Sequence, residues 1–281
     1  TNILQILDLS GIPFLSSDRS DWEYPVIIGG GPCTYNPEPI ADFFDFFYIG
    51  EGETRYREIL DLYKRIRSNE GSKKEFLHEA AKIPGIYVPS LYDISYNTDG
   101  TVMSIKTFHD DIPEVIKKEL VKDLDTSYYP LFPIVPYIRT AQDRIVLEIL
   151  RGCIRNCRFC QAGQLYKPFR ERSADTLKRY AITMLENTGH DEITLSSLSS
   201  SDYSAFEELI NYIIDYCSER HINISLPSLR IDSFSLDVMK KVQDIKRSSL
   251  TFAPEAGSQR LRDVINKGIS EEDILRGSRE A

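Results

Sequence analysis

The chain lacks any apolar run near the roughly 18 residues that a bilayer-spanning helix requires, so no membrane partner is expected. It holds only five cysteines in 281 residues, an odd number that does not read as the disulfide framework of a small secreted scaffold. Basic residues are outnumbered, 34 against 43 acidic ones, and the net charge of -9 argues against a general polyanion binder. The four histidines, His78, His109, His190 and His221, are isolated from one another, and no second cysteine pair exists. A structural zinc site, which wants four ligands, is therefore poorly supplied. There is no internal repeat or low-complexity tract. The composition left over is that of a cytoplasmic globular chain of about two domains with ample apolar material for a core.

What the chain does have is Arg151-Gly-Cys-Ile-Arg-Asn-Cys-Arg-Phe-Cys160, directly after an apolar, strand-like stretch from Ile145 to Leu150. The C-x3-C-x2-C spacing of Cys153, Cys157 and Cys160 lets one short loop wrap three thiolates onto three corners of a cubane. The fourth iron is then left without a protein ligand and can chelate a small molecule. Around the cysteines the charge balance inverts: Arg151, Arg155, Arg158, Lys167, Arg170 and Arg172 face one acid, Glu171. That run reads as compensation for an anionic thiolate cluster, as a landing site for RNA phosphate, or as a solvated face. Zinc remains the competing metal. Cys33 and Cys217 read as buried small apolar residues.

From Ile145 onward strands and helices alternate. Strand Ile145 to Leu150 gives the cysteine loop, and Ser173 caps a helix to about Glu186. Strand Glu192 to Ser196 leads to a helix from about Ser204 to Arg220, and strand Asn223 to Leu226 to a helix from Leu236 to Gln243. Strand Ser249 to Ala253 leads to a helix opened by Ser258. Four βα units of a parallel, barrel-like sheet carry their active groups at the carboxyl ends of the strands. Residues 66–144 read as a connector. It holds a hairpin of Ile86–Val88 with Val102–Ile105 around an Asn97–Gly100 turn, then a proline-rich extended stretch from Tyr128 to Pro136. In residues 1–65, Pro25–Ile28 runs into Gly29-Gly30-Gly31-Pro32 and Phe46–Ile49 into Gly50-Glu51-Gly52-Glu53. Such exits bind ligands in α/β sheets, and serve tight turns for steric reasons about as often. The chain starts at Thr1 within a helix-like segment and stops at Ala281 after a charged helical stretch, which reads as an excised fragment.

The cysteine run resembles the motif of the radical S-adenosylmethionine (SAM) superfamily. The glycine turns, with Asn36-Pro37-Glu38-Pro39 between them, resemble the end of the cobalamin-binding-like domain ahead of many radical SAM barrels. Ala253-Pro-Glu255-Ala-Gly257-Ser258 resembles the Glu-Ser/Ala-Gly-Ser motif of the branch that contains methylthiotransferases and related uncharacterised proteins. The resemblance implies an α/β fold. Residues 1–65 are then the second half of a truncated flavodoxin-like (Rossmann-like) domain, residues 66–144 the connector, and residues 145–281 the first four βα units of a partial radical SAM barrel that commonly has six.

The same resemblance implies an enzyme with a 4Fe-4S cluster on Cys153, Cys157 and Cys160. With S-adenosyl-L-methionine on the open iron, reductive cleavage gives methionine and a 5′-deoxyadenosyl radical, fed by an electron donor such as flavodoxin or ferredoxin. The substrate is left open, a small molecule or RNA. Implied SAM contacts are Phe159 against the adenine, Ser199, Ser200 and Asp202 near the amino group, Ser228 and Arg230 near the carboxylate, and Glu255 at the ribose hydroxyls or ammonium. For these the plainer readings are a core phenylalanine, a helix cap at Asp202 and a surface salt bridge at Arg230. Cobalamin is allowed by the architecture, although the Asp-x-His-x-x-Gly signature of cobalamin-ligating members is absent. The alternatives are an RNA-modifying methylthiotransferase, which usually brings a second cysteine triad where this chain has only Cys33, and a non-catalytic metal-binding interaction module.

Overall fold

A computed structural model describes residues 2–138, 140–227, 230–233, 238, 240–242 and 252–281. The chain divides into two compact units, Thr1–Val121 and Lys122–Ala281.

The first unit opens with helix α1 (Asn2–Leu9) and is built around strands β1 (Ile28–Gly29), β2 (Phe46–Tyr48) and β3 (Ile86–Tyr87). β1 runs parallel to β2, and β3 joins antiparallel on the other side of β2. Helix α2 (Tyr56–Ser68) buries Ile59, Leu62 and Ile66, the spacing of one helical stripe, and α3 (Lys73–Ala80) buries Phe76 and Ala80. Ser72 starts α3 by accepting from the Glu75 amide at 3.0 Å. The expected hairpin has a different first strand. β4 (Tyr92–Tyr96) pairs with β5 (Val102–Thr107) around the Asn97–Gly100 turn, whereas Ile86 and Tyr87 go to the central sheet. Ile86 and Val88 are wholly buried, and a continuous apolar run finds more burial beside β2 than on a half-exposed ribbon. Gly50, read as a ligand-approach glycine, is required by packing: a Cβ there would sit 2.3 Å from the Glu119 carbonyl oxygen, at a φ of +131°.

Three charged groups are buried in this unit. Asp45 faces Lys73 at 3.1 Å and Arg19 at 3.6 Å, and also accepts from the Ile27 amide at 2.6 Å. Arg19 donates from its two Nη atoms to the carbonyls of Pro13, Phe14 and Phe43, and Lys73 donates to the carbonyl of Arg19.

The second unit contains an open parallel sheet in the order β10 (Asn223–Ser225), β9 (Glu192–Ser196), β6 (Ile145–Glu148). Ile145 pairs with Ile193 and Glu148 with Ser196, so the strands end together on one side. Helix α5 (Ala174–Thr188) is capped by Ser173 and closed by Gly189 in the left-handed conformation. It packs with helix α6 (Phe206–Ser218) over a core of Ile145, Leu147, Leu177, Ile193, Leu195, Leu209 and Ile213. The expected strand Ile145–Leu150 breaks after Glu148: β7 (Leu150–Arg151) leaves the sheet and pairs antiparallel with β8 (Arg170–Glu171). Of the helix expected over Leu236 to Gln243, the described residues Val238, Lys240, Lys241 and Val242 are helical and the rest lie outside the described residues, as do the first three residues of the strand expected at Ser249 to Ala253. Helix α7 (Gln259–Val264) is capped by Ser258, and α8 (Glu271–Glu280) begins with a capping box of Ser270 and Asp273. None of the described helices is long and apolar enough to cross a membrane.

Removing Asp45 would strand two buried cations. Asp45→Ala is expected to cost about 3–5 kcal/mol of stability. The single tryptophan, Trp22, stacks edge-on to Tyr63 within the first unit, so its fluorescence during urea unfolding reads this loss. A change under about 1 kcal/mol would show the cluster to be inconsequential.

Candidate active site

The cysteine loop leaves the sheet at the carboxyl end of β6 and is clasped at its base by the β7–β8 ladder, Leu150 against Glu171 and Arg151 against Arg170. Gly152 makes the first turn. Its φ is +89°, and a Cβ would lie 2.9 Å from backbone atoms of Tyr166, Pro168 and Phe169, so the returning strand has room only for glycine. Beyond it Cys153, Cys157 and Cys160 are all partly exposed. The Arg155 amide points at Cys153 Sγ at 3.5 Å, and the Gly163 amide, at the start of the short helix α4 (Ala162–Leu165), points at Cys160 Sγ at 3.4 Å. Amides aimed at sulfur are the hydrogen bonds that sulfur ligands of a cluster commonly accept.

The loop is tied down by charge. Arg155 makes a bidentate pair with Asp202, which follows β9, with Nε to Oδ2 at 2.8 Å. Its Nη1 also lies 3.9 Å from Asp232, which Arg230 holds through two bonds of 2.9 Å. Burial acts to raise the Asp202 carboxyl, but hydrogen bonding from Arg155 and the positive charges of Arg155 and Arg230 outweigh it and hold the group below the usual carboxylate range. A carboxyl so depressed keeps its stabilising pairing above the normal carboxylate range, near pH 3.9, and loses it only as pH falls further.

The outer side of the loop is covered from far along the chain. The Arg158 amide donates to the Ile265 carbonyl at 2.9 Å, and Asn266 donates to the Asn156 carbonyl at 3.0 Å. Arg262, buried in its helix, donates to the carbonyls of Ala256, Gly257 and Ile269 and thereby fixes the turn that carries Glu255.

The expected contact residues divide into two sets. Phe159 is about half exposed, with Lys267 Nζ 5.8 Å from its ring centre, and the same ammonium lies 3.2 Å from Glu255 Oε1. Glu255 has a φ of +69°, a backbone state that non-glycine residues keep only where the surroundings impose it. Ser199 and Ser200 are buried, and the Ser200 hydroxyl bonds that of Ser197 at 2.8 Å. Asp202 and Arg230 are engaged by Arg155 and Asp232, so these two charges hold protein to protein. Ser228 lies outside the described residues.

Other expectations need correction. Cys33 is exposed rather than buried, while Cys217 is fully buried and its thiol is pushed up to about 11 by that burial. The basic run is not an open positive face. Arg151 pairs with Glu148 at 2.9 Å, and Arg172 is wholly buried beneath the rings of Tyr129 and Tyr180. Arg155 as the loop's anchor and Lys267 as the link between Phe159 and Glu255 were not picked out from the sequence. For Arg155 a signal existed in a cation placed between two of the motif's cysteines; for Lys267 there was none.

The description of radical SAM proteins, N-terminal, matches residues 1–89, and that of the radical SAM superfamily matches residues 147–281, which include all three loop cysteines. The chain belongs to the radical SAM superfamily. That family uses a 4Fe-4S cluster and SAM.

An uncharacterized protein of Methanocaldococcus jannaschii is 32% identical over 266 residues, covering 94% of this chain and 50% of the relative. A second protein of that organism, named as a methylthiotransferase, is 24% identical over 78% of this chain and 52% of its own length. An uncharacterized methyltransferase of Pyrococcus horikoshii is 22% identical, over 89% and 49% respectively. The chain thus spans about half the length of the curated relatives it matches. Among solved structures, the cobalamin-dependent SAM radical enzyme OxsB superposes with a TM-score of 0.53 at 16% identity, over 91% of this chain and 34% of that one. The radical SAM methyltransferase TsrM of Kitasatospora setae, with cobalamin and a 4Fe-4S cluster bound, superposes at 0.51 and 14% identity, over 90% and 48%. The fold is therefore the mixed α/β fold of cobalamin-dependent radical SAM enzymes, with an open sheet.

The tether can be measured directly. A double-mutant cycle with Arg155→Ala and Asp202→Ala, read by urea unfolding, is expected to give a coupling of about 1–3 kcal/mol. Additive single effects would show that the pair does not hold the loop.

Proposed function

We propose that Cys153, Cys157 and Cys160 hold a 4Fe-4S cluster and that the protein cleaves SAM reductively, yielding methionine and a 5′-deoxyadenosyl radical that abstracts hydrogen from a substrate. The observation that carries this reading is the loop itself: three partly exposed thiols on one glycine-turned segment, two of them met by backbone amides, at the carboxyl end of a parallel strand. When bound, the cluster supplies the electron. The chain's residues supply position and shielding. Arg155 and Asp202 fix the loop against the β9 exit, and Asn266 and Arg158 close its outer side. Phe159 offers an exposed ring for the adenine, and Glu255, imposed in a left-handed turn beside Lys267, offers a carboxylate to ribose hydroxyls or the SAM ammonium. Arg230 would reach the SAM carboxylate only by exchanging Asp232 for it. The substrate follows from none of these residues. The names of the relatives favour methyl or methylthio transfer as the outcome of the radical step, with RNA or a small molecule as acceptor. Cobalamin is compatible with the fold, and flavodoxin or ferredoxin are the electron donors of suitable chemistry.

Anaerobic reconstitution of the full-length protein with iron and sulfide is expected to give four irons per triad, and Cys157→Ala to abolish them. One tetrahedral zinc per chain, with iron and sulfide refused, would convert the enzyme reading into that of a metal-binding module.

Glu255→Ala should keep the cluster yet lose a charge-assisted hydrogen bond of about 1.5–3 kcal/mol, weakening SAM binding tenfold or more. Under dithionite at limiting SAM it should release much less 5′-deoxyadenosine than wild type, a deficit that narrows as SAM saturates. Equal release at limiting SAM would remove Glu255 from the site.

A further inference from the structure

Two histidines that are far apart in sequence meet in the first unit. His78 lies in the last turn of α3, and His109 lies just beyond β5; their rings are edge to face with centres 4.8 Å apart. Asp111 completes the group, with His78 Nε2 3.1 Å from its Oδ2. One ligand atom from each of the three residues lies within 4.8 Å of the others. Two metal–ligand bonds of ~2.1 Å meeting at a tetrahedral angle set their donor atoms ~3.4 Å apart. The His78–Asp111 pair, at 3.1 Å, is close to that separation, and a His109 nitrogen lies within 4.8 Å of both partners.

Both supporting elements are held. α3 is fixed by buried Phe76 and Ala80. The segment carrying His109 and Asp111 is held by the Phe108 amide on the Leu91 carbonyl at 3.1 Å and by buried Ile112, whose amide caps the His109 carbonyl. The Tyr92 hydroxyl fastens its far end at the Pro113 carbonyl, 2.6 Å away. Two imidazoles and a carboxylate on such mounts form a donor set of borderline softness that leaves a fourth position open to solvent.

We propose that His78, His109 and Asp111 form a binding site for a divalent transition-metal ion of the zinc type, independent of the cysteine loop. Lys82 is the competing cation. Its ammonium stands 2.9 Å from Asp111 and 2.7 Å from Glu79, so a metal entering the site takes over Asp111 while Lys82 keeps Glu79. The site therefore exchanges one cation for another without leaving a carboxylate unpaired.

The test uses full-length, tag-free protein with its cluster assembled, dialysed anaerobically against low-micromolar zinc chloride, with zinc and iron counted by mass spectrometry. Wild type is expected to retain one more zinc per chain than His78→Ala or His109→Ala, with iron the same in all three. Lys82→Met should retain that zinc at lower free metal than wild type does. Equal zinc in wild type and both histidine variants, including none in any of them, overturns the site. So does zinc uptake matched by loss of iron and indifferent to the histidines. Because His109 is exposed on a loop, its variant tests the proposal even if His78→Ala proves unstable.

Discussion

The bidentate pair between Arg155 and Asp202 is the constraint on which the cysteine loop depends. A loop that, on the proposed reading, presents three thiols to one cluster cannot be left to its own conformational preferences, since ordering each residue costs about 1–2 kcal/mol. The β7–β8 ladder fixes only the loop's two ends. Arg155 fixes its middle, between the first and second cysteines, by reaching the exit of the neighbouring strand. Asp202 is almost fully buried there, so the pair works in a medium of low dielectric, where geometry of this kind is held more tightly than at a surface.

Charge around the loop is consequently neutralised in pairs. Arg155 with Asp202 and Lys267 with Glu255 bring opposite charges together across the loop, while Arg151 with Glu148 and Arg230 with Asp232 pair locally. A run of basic residues in the sequence suggested a positive field; the folded unit ties Arg151 and Arg172 to Glu148 and Arg155 to Asp202. What remains open to a ligand is the half-exposed Phe159 ring and the partly exposed Glu255.

Local signals were legible where local physics decides. Strand Glu192–Ser196 appears with the expected bounds, and Ser173 and Ser258 cap helices as read, because capping and strand burial are set within a few residues. The C-x3-C-x2-C loop was legible for the same reason. Pairings across the chain were not. Nothing near Ile86 says that its partner is Tyr48 rather than the strand at Val102, and nothing near His78 announces His109. Asp202 and Arg230 were correctly placed at strand exits, but their partners lie 47 and 2 residues away, and only the fold shows that the protein itself fills those positions.

The cover over the loop's outer side has a consequence in time. Asn266 closes on Asn156 across a separation of 110 residues. At translation rates of about 5–20 residues per second, roughly 5–20 s pass between synthesis of the cysteines and synthesis of their cover. During that interval the nascent chain carries three thiols with one flank bare, and on the proposed reading this gives iron and sulfide a way in that the finished protein narrows.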